Sequence, residues 1–497
     1  MGYWKKITFA LWGVAFIGWW LADTQVIALE PWTELLRIAR GFLTPDFFAT
    51  EHLFDAIWQT VSFALLGIVL GLAWGAPLAL IYCKPWVAPI CAFIRAIHEI
   101  FWALLFLQIF GLSAMTGILA LALPYGATFA RVFYDILASA PATTEESLPH
   151  GTDNLSRYLY ARIALVLPQL LSYTRYRFEC ALRSSAVLGF VGMPTLGFYL
   201  ESAFRQGHYS QGGALLMLFI TLIATIPWWC KRWLIPIYAI LGIVLLPEFP
   251  AIDGQLIWRF LSVDILPPMF QQGGIAAISL QQLNWDVWHQ FVSWFTQLLL
   301  VQVLPGIGAT LLLAIVSLAL THIVTLICLP FTFKPLAGRI SSSLAQIMIL
   351  LLRSIPEYIF AFIFMLLLGP SMLPAMLALA LHNGGLIAFL VAKQSNTVAL
   401  SPLFHTRIDS YLYEVVPQYY PNLMGLLFYR FEVILRETAI LGMLGVATLG
   451  FYIDSNFAEI RFSGALVLIV FTALLNVAVD ALSRRILAGQ RAPMLRC

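Results

Sequence analysis

The sequence predicts an all-α integral membrane protein of about 12 transmembrane helices, built as two parallel six-helix repeats. Three observations carry that prediction. The chain has 497 residues, 61% hydrophobic and only 11% charged. A soluble domain carries roughly 25% charged residues, so this composition cannot clothe a water-facing surface. Apolar stretches near the ~20 residues needed to cross a bilayer recur through both halves. Finally, the segment from Tyr176, YRFECALRSSAVLGFVGMPTLGFY, returns from Tyr429 as YRFEVILRETAILGMLGVATLGFY, identical at 15 of 24 positions at an offset of 253. Two generic apolar segments share far less.

The apolar stretches lie near 7–28, 56–82, 87–110, 114–137, 166–191, 212–230, 233–247, 307–330, 343–368, 372–392, 421–447 and 463–482. The first follows Lys5-Lys6 and has the basic start of a signal peptide. No small-residue cleavage pattern stands out, so it reads as an uncleaved first span. A cytoplasmic N-terminus places Lys84, Arg157, Arg162, Lys231, Arg232, Lys334, Arg339, Lys393, Arg407, Arg484 and Arg485 on the same side. It leaves Glu30, Asp46, the segment from Glu248 to Asp286, and Asp454 on the other. The basic residues thus stay inside along the whole chain, with both termini cytoplasmic. Six spans per repeat is an even number, so the copies, 1–232 and 233–497, enter the membrane from the same side. A pseudo-two-fold axis then runs along the membrane normal, with a hydrophilic path between the copies.

A net charge of +3 with dispersed basic residues excludes nucleic acid as a partner. The six cysteines show no CxxC and no ligand spacing, and read as apolar fillers. GxxxxGK[ST], HExxH and any nucleophile–base constellation are absent. The chain is therefore expected to be no enzyme, with no catalytic residue, cofactor or metal, and energy must come from a separate subunit.

A second block also matches between the halves. Arg95-Ala-Ile-His-Glu99 corresponds to Arg353-Ser-Ile-Pro-Glu357, and LALALPYG (119–126) to LALALHNG (377–384), now at an offset of 258. The second copy is thus five residues shorter between about Gly384 and Tyr411. Together with VPQYYPNL (416–423) and the YRFE…LR…LG..G block of both copies, these residues resemble the permease subunit of phosphonate-type ABC importers, and the wider type I ABC importer permeases. The resemblance covers nearly all of both halves. It implies the type I importer permease fold, here with two usually separate units fused in one chain. It also implies an ABC ATPase on the cytoplasmic side, a periplasmic or lipid-anchored substrate-binding protein, and a bacterial inner-membrane location. The implied cargo is a phosphonate or a related phosphorus oxyanion. A secondary transporter of small anions without an ATPase, and an ABC permease for another small anion, are the alternatives.

The resemblance further implies a cytoplasmic loop that docks on the ATPase through an E-A-A-x3-G pattern. Glu145, Glu146 and Gly151 fit it in the first copy, whereas the second has Val398-Ala399-Leu400-x3-Phe404, without acid or glycine. Docking is therefore expected to be unequal. An exposed acidic helix start also offers charge to a basic groove, and a glycine permits a tight turn.

Ionisable groups inside spans cost about 2.5–3.5 kcal/mol each, so those present need an account. Arg95/Glu99, Arg353/Glu357, Glu179/Arg183 and Glu432/Arg436 are spaced i, i+4, which places each pair on one helix face. They either neutralise one another and glue the bundle, or line the path, where an arginine fork holds a phosphonyl group. Arg183 and Arg436 could also sit near the outer rim and meet the binding protein. His382 and Asn383 lie in a span and read as structural hydrogen-bonding groups or as substrate contacts. Gly189 and Gly192, matched by Gly442 and Gly445, mark either tight helix packing or a gate. Trp258, Trp285, Trp288 and Trp294 in the outer segment read as an interfacial anchor against lipid, or as a docking surface for the binding protein.

Overall fold

The computed structural model describes residues 2–28, 30–140, 151–153, 156, 158–231, 234–246, 253–271, 274, 284–395 and 406–488. Every regular element among them is helical. The helices of the first half are α1 (Gly2–Leu21), α2 (Pro31–Leu43), α3 (Leu53–Leu80), α4 (Val87–Ala96), α5 (Glu99–Phe110), α6 (Ala114–Ala138), α7 (Ala164–Val187), α8 (Leu196–Arg205) and α9 (Tyr209–Ala224). Then come α10 (Ile235–Leu245), α11 (Trp285–Leu298), α12 (Leu304–Thr332), α13 (Arg339–Ser354), α14 (Glu357–Leu368), α15 (Met372–Ser395), α16 (Val416–Met443), α17 (Leu449–Ala458) and α18 (Phe462–Ala488).

Among the described residues, five helices are long and apolar enough to cross a membrane: α3, α6, the continuous run Trp285–Thr332 that joins α11 to α12, α15 and α18. Three bent pairs raise this to eight if each counts as one span: α4/α5 at 89°, α13/α14 at 93°, and Tyr160–Val191 with α8 at 54°. The apolar stretches 87–110 and 343–368 predict two unbroken spans; both are broken near their middle. Pro356 lacks an N–H and forces the residue before it out of the helical region. Ile355 and Pro356 are accordingly extended, at ψ 122° and 148°. In the first half Ile97 and His98 adopt the same conformation, at ψ 128° and 145°, without a proline.

The chain forms two compact units: Thr44–Trp258, and Met1–Leu43 together with Arg259–Arg496. Their bounds differ from those of the sequence repeats, 1–232 and 233–497, because the opening helix of each repeat packs on residues of the other. In the larger unit α1 lies along α12. A Cβ on Gly18 would sit 3.0 Å from Val316 Cγ2. Trp12 Nε1 donates to His322 Nδ1 (3.3 Å), and Thr8 Oγ1 lies 2.6 Å from the Tyr420 hydroxyl. In the other unit α10, which opens the second half, packs on α3, with the Gly242 Cβ position 3.4 Å from Ser62 Oγ. The partners of α1 lie hundreds of residues away, so no local pattern announces them.

Each unit has one close helix pair at its core, α3 with α6 and α12 with α15. Small residues allow the approach. A Cβ on Gly67 would lie 2.7 Å from Leu121 Cβ, and one on Gly384 2.6 Å from Val324 Cγ1.

Candidate functional site

The helix break before α14 builds the site in the second half. It leaves the Ile355 carbonyl without a helical donor, and His382 Nδ1 fills that role at 2.9 Å. A carbonyl only accepts, so Nδ1 carries the hydrogen, and the ring turns Nε2 toward Glu357 Oε2 at 3.9 Å. Restarting the helix at Glu357 puts that carboxylate in the first turn, where the helix dipole favours negative charge. Asn383, the next residue of α15, is fully buried. Its Nδ2 donates to Glu437 Oε2 and to Leu379 O, both at 3.0 Å. Its Oδ1 accepts from Arg430 Nε at 2.8 Å. Arg430 Nη2 also lies 3.7 Å from Glu437 Oε1. The two are seven residues apart on α16, two turns along one face.

The first half carries a related cluster with different chemistry. His98 Nδ1 accepts from Ile100 N (3.1 Å), so its other nitrogen carries the hydrogen and faces Glu99 Oε2 at 3.8 Å. Ser184 Oγ donates to Glu99 Oε1, and the Tyr125 hydroxyl in turn donates to Ser184 Oγ (3.1 Å). Tyr125 and Ser184 stand where the second half has Asn383 and Glu437. Arg177, the counterpart of Arg430, instead reaches the Tyr173 hydroxyl at 2.6 Å. It also packs over the rings of Tyr173 and Tyr176, at 5.1 and 5.7 Å. One half therefore surrounds a single carboxylate with hydroxyls; the other holds two carboxylates with an amide, an imidazole and a guanidinium.

The expectation that Arg95/Glu99 and Arg353/Glu357 share a helix face is corrected: in each pair the near-perpendicular break separates the arginine from the glutamate. The Arg353 guanidinium stacks over the Phe389 ring at 4.1 Å. Glu179/Arg183 and Glu432/Arg436 do share a helix, on α7 and α16, and Arg183 Nη2 lies 3.6 Å from Cys180 Sγ. Arg430 and Glu437, central to the buried network, were not singled out from the sequence. Glu437 was detectable as an acid that breaks the repeat, since the first half has Ser184 at that position.

Glu357, His382 and Glu437 each offer one ligand atom, and these atoms lie within 4.8 Å of one another. The set could hold a small cation. Glu437 is already engaged by Asn383 and Arg430, however, so the protein's own donors account for its charge.

The glycine segments form a tight corner between α7 and α8, repeated between α16 and α17. Gly192 and Gly445 adopt left-handed φ of 92° and 99°, which disfavours any side chain. A Cβ on Gly189 would collide with the backbone of Phe198, and one on Gly442 with that of Phe451. Each corner is tied down by a buried threonine unnoticed in the sequence: Thr60 Oγ1 accepts from Leu196 N (2.9 Å) and Thr310 Oγ1 from Leu449 N (3.0 Å). Of the ATPase-docking residues, Gly151 is exposed in a turn at φ 97°. Glu145, Glu146 and the segment 398–404 lie outside the described residues.

Known proteins resemble this chain over much of its length. A phosphate-import permease protein, PhnE, from Mycolicibacterium smegmatis is 27% identical over 460 residues, 86% of this chain and 83% of the relative. A phosphite transport system permease protein, PtxC, from Stutzerimonas stutzeri is 26% identical, covering 46% of this chain and 87% of its own. A protein named as a cryptic phosphonate transport system permease, PhnE2, from Escherichia coli is 34% identical over 95 residues, 19% of this chain and 78% of its own. No protein-family profile and no solved structure matches the chain.

Proposed function

Because the chain belongs to the phosphonate-type transport permease family, we propose that it is the transmembrane permease of an ATP-driven importer for phosphonates or a related phosphorus oxyanion. In this reading it sits in a bacterial inner membrane with both termini cytoplasmic, and about 12 spans form two parallel permease units around one path. An ABC ATPase docks from the cytoplasm, and a substrate-binding protein delivers cargo from outside. The permease does no covalent chemistry.

The observation that carries the reading is the pair of corresponding buried polar clusters, one in each half, built at the same helix break. Generic packing has no need to hold Glu357, Glu437 and Arg430 away from water. A translocation path needs donors for an oxyanion and groups that re-pair once it has left. Arg430, held between Asn383 and Glu437, is such a donor. Its guanidinium fork matches a tetrahedral oxyanion, and Glu437 re-pairs with it in the empty state. Arg95, Arg353, Glu179, Arg183, Glu432 and Arg436 are partly buried rather than exposed, as suits groups lining or sealing such a path. The glycine corners are the natural places for one helix to change its angle to the next.

The test is uptake of a panel of phosphorus compounds (methylphosphonate, 2-aminoethylphosphonate, phosphite and phosphate) by cells lacking the chain. It is repeated in cells whose partner ATPase has an inactivated P-loop. Loss of uptake of at least one compound in both strains is expected. Unchanged uptake of every compound rejects the import assignment; uptake lost without the chain but kept with the inactive ATPase supports a secondary transporter instead.

A further inference from the structure

A cavity of about 230 Å³ opens in the larger unit where the residues before α12 meet the turn between α17 and α18. Trp294, Gln302, Asn456, Ile460, Arg461 and Ser463 line it. None of them belongs to the buried network around Glu437. The 48-residue run Trp285–Thr332 is about 72 Å long at 1.5 Å per residue, against a hydrocarbon core of about 30 Å. Gln302 lies about 45 Å from the Thr332 end on the same scale, a separation longer than the hydrocarbon core is thick. The cavity is also at the end of α18 opposite Arg484 and Arg485, which is the outer face in the proposed orientation.

Some of its polar groups are committed to one another and others are left over. Asn456 is 3% exposed, and its Nδ2 is committed to Gln302 Oε1 and Tyr452 O, both at 2.7 Å. That fixes Gln302 with its amide N–H groups outward, and leaves Asn456 Oδ1 without a partner among the described residues. The Ser463 hydroxyl, in a residue 6% exposed, likewise has none. Arg461 sits at the rim, paired with Glu459. Ile460 is the only non-glycine described residue with positive φ, at 59°, a conformation that β-branched residues rarely adopt.

The first half lacks this arrangement. The residues 253 positions earlier are Ala203 for Asn456, Gly207 for Ile460, His208 for Arg461 and Gln211 for Gly464. Gln211 reaches across to Thr50 Oγ1 (2.9 Å) and Ala49 O (3.4 Å). In the second half Gly464 stands there, and a Cβ on it would lie 2.6 Å from Asn456 Oδ1. The cavity therefore lies where the first half has a long side chain and the second has none, and where the second has a buried amide in place of an alanine.

We propose that this cavity is a binding site for a single tetrahedral phosphorus oxyanion, found in the second half only. Gln302 Nε2, the Ser463 hydroxyl and the Arg461 guanidinium supply donors, and Asn456 Oδ1 takes the one proton of a phosphonate monoanion. The ligand is either transported cargo arriving at the outer face, which rests on the import reading above, or the phosphate of a membrane lipid.

The experiment uses the purified full chain in lipid-free amphipol, with methylphosphonate and inorganic phosphate as probes in saturation-transfer NMR and calorimetry. Gly464→Gln restores the first-half side chain and fills the space. Gln302→Glu places a carboxylate in it at unchanged volume, so it tests the site even where Gly464→Gln fails to fold. Both should weaken binding at least tenfold, with thermal stability of Gln302→Glu close to the parent. Absence of binding to the parent chain, or equal binding to parent and Gln302→Glu, overturns the site. Uptake by cells is measured alongside, so failed binding with intact import rejects the site alone. Repeating the assay in phosphatidylglycerol nanodiscs separates the sources. Retained binding assigns the site to the free oxyanion; lost binding, with lipid co-purifying with the parent but not with Gly464→Gln, assigns it to a lipid phosphate.

Discussion

Asn383→Leu removes the hub of the buried network while keeping the number and branching of side-chain heavy atoms. It deletes two bonds to charged groups, from Arg430 Nε (2.8 Å) and to Glu437 Oε2 (3.0 Å). In water-soluble proteins such bonds contribute about 1.5–3 kcal/mol each, or about 3–6 kcal/mol together. Inside membranes, polar pairs average about 0.6 and reach about 1.7 kcal/mol, which gives about 1–3 kcal/mol. The lower range applies because Arg430 Nη2 remains 3.7 Å from Glu437 Oε1, so neither charge is abandoned. The expected loss is therefore about 1–3 kcal/mol, read by reversible unfolding in mixed micelles. A double-mutant cycle with Glu437→Gln should give a coupling of about 1 kcal/mol. Tyr125→Phe, which removes only a neutral hydroxyl bond in the first half, should cost about 1 kcal/mol or less. An Asn383→Leu variant as stable as the parent, with no coupling to Glu437, would refute the claim that the network holds these charges in place.

Four further outcomes follow from the corners, from α16 and from the loops. Gly189→Ala and Gly442→Ala force a Cβ onto backbone atoms that cannot rotate away, and should each cost about 3 kcal/mol or more in thermal unfolding. Gly425→Ala, with open space around it, should be neutral or slightly stabilising. Thr60→Val and Thr310→Val remove the acceptor for the first N–H of α8 and α17 and should each lower stability by about 1 kcal/mol; no change in melting temperature would count against a capping role. Charge reversal at Glu145 and Glu146 should reduce coupled ATPase activity more than polar substitutions across 398–404, and equal effects would mean that both loops dock alike.

Much of the candidate site was legible in part. His382 and Asn383 stand out as polar residues inside an apolar run, and Glu99 and Glu357 as acids repeated at one position in both halves. What could not be read was which groups they meet. The i, i+4 rule presumes an unbroken helix, and the breaks at Ile97-His98 and Ile355-Pro356 remove that premise for two of the four pairs. Arg430 and Glu437 are joined through Asn383 on a different helix, so no spacing within one segment reports their contact. The glycine corners were visible as repeated glycines, but whether they pack or bend depends on Phe198, Phe451 and the threonines of α3 and α12.

By itself the sequence determined the solvent and the local order: apolar runs of membrane length, internal likeness at a fixed offset, and glycines where no side chain fits. Those properties follow from burial and backbone geometry, which act over a few neighbouring residues. Only the tertiary structure decided that α1 packs against α12, that Asn383 bridges Arg430 to Glu437, and that Gly464 opens a space which Gln211 closes in the other half. Each of these is a match between surfaces far apart in the chain. Apolar helix faces in a membrane are nearly interchangeable until shape and a few polar atoms select among them.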